Sequence, residues 1–310
     1  MNKFRKSCCV VQVKGGNTKI FMLAIILFAG LAPTALPIDD ADELVAQGRT
    51  AIRRGDGERA AELLEKAVAL RPNSAEAHYW LGRAYGAIGE NAHNPFKQMS
   101  IGGKMKNEAE RALRLDPNYI DARFMLIDIY VMAPAMMGGS EAKAMEHAAE
   151  IKRRDAFLGH RAYVRIYTLQ KKLDLARNEY LAAVREEPNS ARAHAALGAF
   201  LAITDKNYPG AFEEVEKALK LDSTYMPAWF RLGQAAALSA TNHARGEEAL
   251  KKYLKYQPKD NEPELANAHF RLGQIYENQG RKTEAKLSYE AALQLNPGLK
   301  EAAEALKRVS

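Results

Sequence analysis

Along residues 41–310 the apolar positions gather in helix-length stretches that recur with one pattern: LVAQGRTAI at 44–52, HYWLGRAY at 78–85, HAALGAFL at 194–201, WFRLGQAA at 229–236 and HFRLGQIY at 269–276. Between and after them recurs a second kind of stretch that ends in a turn: AAELLEKAVALRPN at 60–73, AERALRLDPN at 109–118, ARNEYLAAVREEPN at 176–189, AFEEVEKALKLDS at 211–223 and AKLSYEAALQLNP at 285–297. No run of alternating β-branched residues argues for a strand. The pattern predicts a tandem array of helix pairs, because self-similarity at a fixed period is the signature of a repeat architecture.

These residues resemble the tetratricopeptide repeat, an antiparallel helix pair of about 34 residues. The stretch from Ala266 to Pro297 matches best, with Leu272, Gly273, Tyr276, Gly280, Ala285, Tyr289, Ala292 and Pro297 at the family's large, small, turn and stop positions. Small Gly273, Ala285 and Ala292 let two helix backbones approach, and Leu272, Tyr276 and Tyr289 fill the groove between them. Pro297 stops the second helix, because proline lacks the N–H donor. Used as a ruler, this stop position falls at Pro72, Pro117, Ala156, Pro188, Ser223, Pro258 and Pro297, which predicts seven units. The third is the weakest match, with FMLIDIY at 124–130 placing Ile127 where a small residue is usual. The fold expected is all-α: a right-handed superhelical solenoid over 41–297, with the amphipathic GLKEAAEALKRVS segment, 298–310, as a C-terminal capping helix.

The first 35 residues differ. They hold Lys3, Arg5, Lys6, Lys14 and Lys19, no acidic residue, and the apolar run IFMLAIILFAGLA at 20–32. That is the layout of a secretory signal peptide of the bacterial type over 1–35, with a short linker at 36–40. Thirteen apolar residues fall short of the roughly 20 that a spanning helix needs. Export to the periplasm or beyond is therefore expected, with tethering by an uncleaved leader as the alternative. The chain's net charge of +7 comes from 45 basic and 38 acidic residues, and loss of the five leader cations leaves 40 against 38. A balance of +2 gives no bulk reason to bind nucleic acid or an anionic membrane. Cys8 and Cys9 lie in the leader, so the mature fold is expected to be held by packing without disulfides.

Candidate chemistry is sparse. There is no H-E-x-x-H, CxxC, G-x-S-x-G or P-loop, and IGGK at 101–104 lacks the rest of a phosphate motif. No enzyme activity, cofactor or small-molecule substrate is expected. His78, His160, His194 and His269 share one repeat position, where a packing role in the helix seam is favoured over metal ligation, since ligands must converge. Binding is the better expectation. In the resembled family the first helix of each pair lines a concave face and presents its second, fifth, ninth and twelfth positions to a ligand. Carried over, this gives Tyr79 and Arg83, Phe124 and Asp128, Arg161 and Arg165, Arg192, Phe230 and Gln234, and Phe270 and Gln274. Exposed aromatics and arginine forks there would hold a protein or an extended peptide, making the chain a scaffold or adaptor. The family's paired Lys and Asn clamp for a free C-terminus is not reproduced.

Units two and three exceed the standard length in the turn between their helices, near 89–104 and 131–143. Seven of the ten methionines lie between 99 and 145: Met99, Met105, Met125, Met132, Met136, Met137 and Met145. Packing between the two loops is the first expectation, since methionine fills irregular gaps. A partner-binding edge at Met132, Met136 and Met137 is the second. A copper-handling, metal-binding role, with thioethers taking Cu(I) beside His147, is the alternative from another class. Gly138 and Gly139 are expected to form a sharp bend, and Ser140 an N-cap.

Overall fold

The computed structural model describes residues 39–310, apart from Asn91, His93, Asp260 and Asn261, as helices and short connections with no strand among them. The leader and its cleavage site lie outside the described residues. Seven helix pairs follow one another: α1 (Asp39–Arg53) with α2 (Gly57–Leu70), α3 (Ala75–Glu90) with α4 (Pro95–Leu115), α5 (Ile120–Met132) with α6 (Glu141–Arg154), and α7 (Ala156–Leu169) with α8 (Leu173–Glu186). Then come α9 (Ala191–Phe200) with α10 (Tyr208–Leu221), α11 (Met226–Ser239) with α12 (His243–Tyr253), α13 (Leu265–Asn278) with α14 (Lys282–Leu295), and α15 (Lys300–Val309). Residues 38–310 form one unit.

The last pair closes through the small residues read from the sequence. Gly273 faces the Tyr289 ring, Ala285, Ala292 and Tyr289 have no exposed surface, and Leu272 and Tyr276 are buried beside them. A second device recurs at the second-helix stop. Where the proline position ends one unit, its carbonyl is held by a side chain six residues on, in the next first helix. His78 Nε2 lies 3.0 Å from the Pro72 carbonyl oxygen and His194 Nε2 2.9 Å from that of Pro188. Arg123 donates to the Pro117 carbonyl at 2.8 Å, and the Trp229 indole N–H to that of Ser223 at 2.9 Å. The histidine Nδ1 atoms reach carboxylates of the neighbouring second helix, Glu108 at 2.5 Å and Glu214 at 2.6 Å. His160, also buried, meets Glu179 at 2.7 Å. Each of these carbonyls lies one residue past the C-cap of a second helix, so the contact fixes the turn into the next repeat, and the histidines do more than fill a seam.

Two expectations about connections change, and a third holds. Residues 95–104, read as an inter-helix loop, are helical and extend α4 to 21 residues, with Asn94 as N-cap and Pro95 in the first turn. That placement suits proline, whose missing N–H is unpaired there in any case. Pro258 is not the stop of the sixth unit. α12 ends at Tyr253, five residues before Pro258, and the Tyr253 hydroxyl donates to the Pro263 carbonyl at 2.5 Å, just ahead of α13. The 131–143 turn forms a short 3₁₀ segment, Ala135–Met137, closed by Gly138 at φ +89°. A Cβ on Gly139 would overlap the Ala133 carbonyl oxygen, so the Gly-Gly pair is required sterically. Ser140 caps α6 by accepting from the Lys143 amide at 3.3 Å.

The loop methionines do not pack there: Met132, Met136 and Met137 are 69%, 92% and 45% exposed. Met105 and Met125 fill the space beside Gly82. These two lie within α4 and α5, flanked by neighbouring helices, whereas Met132 is the last residue of α5 and Met136 and Met137 belong to the 3₁₀ turn beyond it.

The array curls until its ends meet. Side chains of α1 and α3, including Arg49, Arg53 and Trp80, share a cavity of about 470 Å³ with Lys259, Leu265 and Leu295. A Cβ on Gly298 would lie 3.9 Å from the Arg54 carbonyl oxygen. Between α12 and α13, Pro258, Lys259 and Glu264 line this same cavity, and Glu262 and Pro263 belong to the inner face.

Candidate functional site: the concave face

The inner face carries a chain of cavities. One of about 500 Å³ between α3, α5 and α7 is lined by Tyr79, Arg83, Phe124, Asp128, Arg161 and Arg165. The next, of about 480 Å³, continues from Arg161 to Arg192, Tyr180, Tyr225, Arg231 and Glu262. A third, of about 360 Å³, holds Phe230, Arg231, Gln234, Glu262, Asn267 and Arg271. The first six residues carried over from the repeat register therefore line one hollow, and most of the rest line its continuation. Gln274 lines none of the three.

The aromatics are not the exposed anchors the register implied. Phe230 is 3% and Phe270 8% exposed, and Tyr79 is also buried. Phe230 packs against Tyr253 at a centroid distance of 5.4 Å, and Phe270 against Tyr289 at 5.9 Å, rings supplied by the second helices of their own pairs. Gln234 is buried too. These residues belong to the seam between helices. Burial in the seam costs a phenyl ring nothing, so no ligand is needed to explain them. Tyr79 lies edge-on to Trp80 and against Tyr119, each at 5.2 Å, and accepts a hydrogen bond from Arg83 at 3.2 Å. Phe124 alone of the carried-over aromatics stays partly open, with the Arg161 guanidinium 5.9 Å from its ring centroid.

The arginines divide into two kinds. Arg165 grips Asp128 through two hydrogen bonds of 2.6 and 3.0 Å, and that bond raises its pKa further. Arg192 grips Asp155 at 2.7 and 3.0 Å and lies 4.8 Å over Phe157. Both forks tie one first helix to the preceding repeat, so they are structural pairs of fixed geometry. Arg161 makes no ion pair with any described carboxylate.

Two further guanidinium groups, missed by the register, are of the second kind. Arg231 donates to the Gln234 side-chain oxygen at 2.9 Å and lies 5.3 Å from the Phe230 centroid. Arg271 does the same with Gln274 at 2.7 Å and with Phe270 at 5.2 Å. Burial, then the field of a neighbouring arginine, lowers the pKa of Arg271; for Arg231 burial leads and the charge of Arg161 adds to it. The signal was present in the sequence: F-R-L-G-Q occurs twice, at 230–234 and 270–274, although packing between the helices calls only for the Phe, Leu and Gly.

A widened turn adds to the wall. α9 continues into a π-helical stretch, Leu201–Asp205, which places Ile203 and Thr204 on the central cavity. Asp205 is held there by Arg177 at 2.6 and 2.9 Å. His147, the histidine nearest the methionine turn in sequence, stacks on Tyr130 at 5.8 Å, and burial followed by the Arg123 charge lowers its pKa.

Three family profiles match this chain: a tetratricopeptide repeat profile at 266–299, a TPR repeat profile at 48–89 and a second tetratricopeptide repeat profile at 170–225. The likeness to tetratricopeptide repeats rests on these three segments. Such repeats support a protein–protein interaction scaffold. A curated relative, Superkiller complex protein 3 of Mus musculus, is 26% identical over 275 residues, covering 82% of this chain and 15% of that protein; the repeat chain thus spans about 15% of its length. Among solved structures, a tetratricopeptide repeat protein from Parabacteroides merdae is 16% identical, with a TM-score of 0.49 and coverage of 87% of this chain and 99% of that one. A monomeric IFIT1 mutant with m7Gppp-AAAA is 20% identical, at TM-score 0.50 and coverage of 87% and 62%. YrrB, described as a TPR protein with an unusual peptide-binding site, is 14% identical, at TM-score 0.38 and coverage of 80% and 99%. These likenesses concern the fold.

Proposed function

We propose that this repeat protein is an adaptor that holds an extended segment of a partner protein against its concave face, and that it works in an exported compartment after loss of residues 1–35. The observation that carries the reading is the unbroken series of hollows from α3 to α13, lined by polar and aromatic side chains on rigid first helices. Sites built on helices are held more closely than sites on loops, and a groove of this length suits a chain better than a compact small molecule. Met132, Met136 and Met137, exposed at the turn before α6, would add an adaptable apolar contact at the edge. The basic, then apolar leader supports export.

A photo-crosslinking amino acid at Thr168 or Ile203, which line the central cavity, tests the groove against the same group at Leu287, an exposed position on α14. A partner captured at the first two positions and not at Leu287, which then binds the purified protein, is the expected result. Equal capture at all three, or none at the cavity positions, would remove the groove reading. Sequencing the mature N-terminus, with a start near residues 33–36 expected, tests export.

A further inference from the structure

The two F-R-L-G-Q pentapeptides build the same side-chain arrangement twice, on adjacent first helices facing one hollow. In each, a buried phenyl ring backs one face of the guanidinium, and a glutamine oxygen takes the hydrogen of one terminal nitrogen. A guanidinium has five N–H donors in a planar fork, so the remaining edge is left directed and available. Elsewhere in the molecule such forks are filled: Arg165 by Asp128, Arg192 by Asp155, Arg177 by Asp205 and Arg308 by Glu277. Arg231, Arg271 and, beside them, Arg161 make no ion pair with any described carboxylate. Enclosing a guanidinium without an anion is costly, and here neighbouring cations add to the cost; burial lowers the pKa of both, with the charge of Arg161 adding to it at Arg231 and that of Arg231 at Arg271.

The charged groups around the pair are few. Glu262 faces the hollow from the segment between α12 and α13, but it accepts from the Lys259 amide at 2.9 Å and bonds the Tyr256 hydroxyl. Glu301 acts on Arg271 from α15 without pairing with it. Tyr180, Tyr225 and Tyr253, whose pKa values burial raises, stand near Arg231 as neutral phenols.

We propose that Arg231 and Arg271 each receive a carboxylate of an acidic, extended peptide segment of the partner, which makes the last two complete repeats the charge-reading part of the groove. This rests on the concave-groove reading above. Helices packed side by side stand about 8–10 Å apart. A polyproline II chain rises about 3.1 Å per residue and returns to the same edge every third residue, so acidic residues three apart reach both forks. The pentapeptides thus select a spacing as well as a sign.

The probe is a fluorescein-labelled Glu-Pro-Pro-Glu-Pro-Pro-Glu peptide, titrated by anisotropy into the full mature protein, beside its Gln-Pro-Pro-Gln-Pro-Pro-Gln counterpart and a single-stranded RNA oligomer of similar length. The acidic peptide is expected to bind, with the neutral one weaker by about tenfold or more, since hydrogen bonds to charged groups are worth that much. The double variant Arg231→Gln plus Arg271→Gln, folded by circular dichroism, should lose about as much. Arg59→Gln, on the exposed face of α2 and paired with Glu62, should leave affinity nearly unchanged. Glu262→Gln removes a like charge from the wall, keeps both forks and should tighten binding.

Equal affinity for the two peptides, or unchanged affinity in the double variant, would overturn the proposal. RNA binding that depends on Arg231 and Arg271, without acidic-peptide binding, would overturn it in favour of nucleic acid. Binding of neither peptide while the partner still crosslinks at Thr168 and Ile203 would overturn it and leave the groove reading standing. Absence of that crosslinking would instead overturn the groove reading.

Discussion

Gly273→Ala is the sharpest single test of how the last helix pair is held. The added Cβ would lie 2.6 Å from Tyr289 Cδ1 and closer still to Cε1, against a comfortable carbon–carbon separation of about 3.5–4.0 Å. The ring has nowhere to go. It is fully buried, and its hydroxyl donates to Glu277 at 2.5 Å, while Glu277 is itself held by the Arg308 fork at 3.0 and 3.1 Å. Overpacking of this kind costs about 1–3 kcal/mol. The same change gains about 1 kcal/mol of helix propensity. With the ring unable to move, the cost falls in the upper part of that range, about 2–3 kcal/mol, so a net loss of about 1–2 kcal/mol is expected, read from urea unfolding by circular dichroism. Repeat arrays need not unfold as one cooperative unit, so amide exchange in α13, α14 and α15 should show the loss concentrated there. In a Tyr289→Leu background the obstacle is gone, and Gly273→Ala should become neutral or stabilising by up to about 1 kcal/mol. A Gly273→Ala protein as stable as the parent, or one losing equally in both backgrounds, would refute the packing argument.

Asp155 caps α7 by accepting from the Leu158 amide at 2.9 Å while holding Arg192. Burial alone would raise its pKa, but the Arg192 and amide hydrogen bonds outweigh that and place it below the ordinary value. Its contribution is therefore complete above the unfolded value of about 3.9 and drains away as pH falls through the lower folded value. Asp155→Ala should cost about 1–2 kcal/mol at neutral pH and flatten the acid limb of a Tm-against-pH curve; an unchanged limb would dismiss this role. His194→Leu leaves the Glu214 carboxylate and the Pro188 carbonyl without the ring nitrogens that reach them. It should lower stability by about 1–3 kcal/mol in thermal unfolding, where an unchanged Tm would show the histidine to be mere filler. Replacing Met132, Met136 and Met137 together by Ala should leave Tm within about 1 °C, given their exposure and the small effect of surface changes; a larger fall would mean that the turn is packed after all.

Much of the architecture could be read locally. The two F-R-L-G-Q stretches, the small residues at Gly273, Ala285 and Ala292, and the Gly138–Gly139–Ser140 turn each state their backbone requirement within one helix pair. Where the proline ruler failed, the cause was also local. Pro258 looks like a stop, yet the helix has already ended at Tyr253, whose hydroxyl is bonded to the Pro263 carbonyl. Residues 95–104 read as a loop because they lack strong apolar periodicity, but the Asn94 cap and Pro95 start a helix that α3 then supports. The candidate site was half legible. The carried-over register found the hollow of Arg161, Phe124 and Asp128, and it mistook Phe230 and Phe270 for surface residues.

The sequence by itself determined that this chain is a tandem array of helix pairs, because helix periodicity, small-residue spacing and turn chemistry all act over a few residues. Only the tertiary structure decided which charges are spent and which remain. Asp128 and Asp155 lie 37 residues before the arginines they bind, and no pattern within one repeat says that Arg165 and Arg192 are taken while Arg161, Arg231 and Arg271 are left open. The closing of the array is of the same kind: a small rotation per repeat is invisible in any one of them, and its sum over seven pairs brings Gly298 beside Arg54.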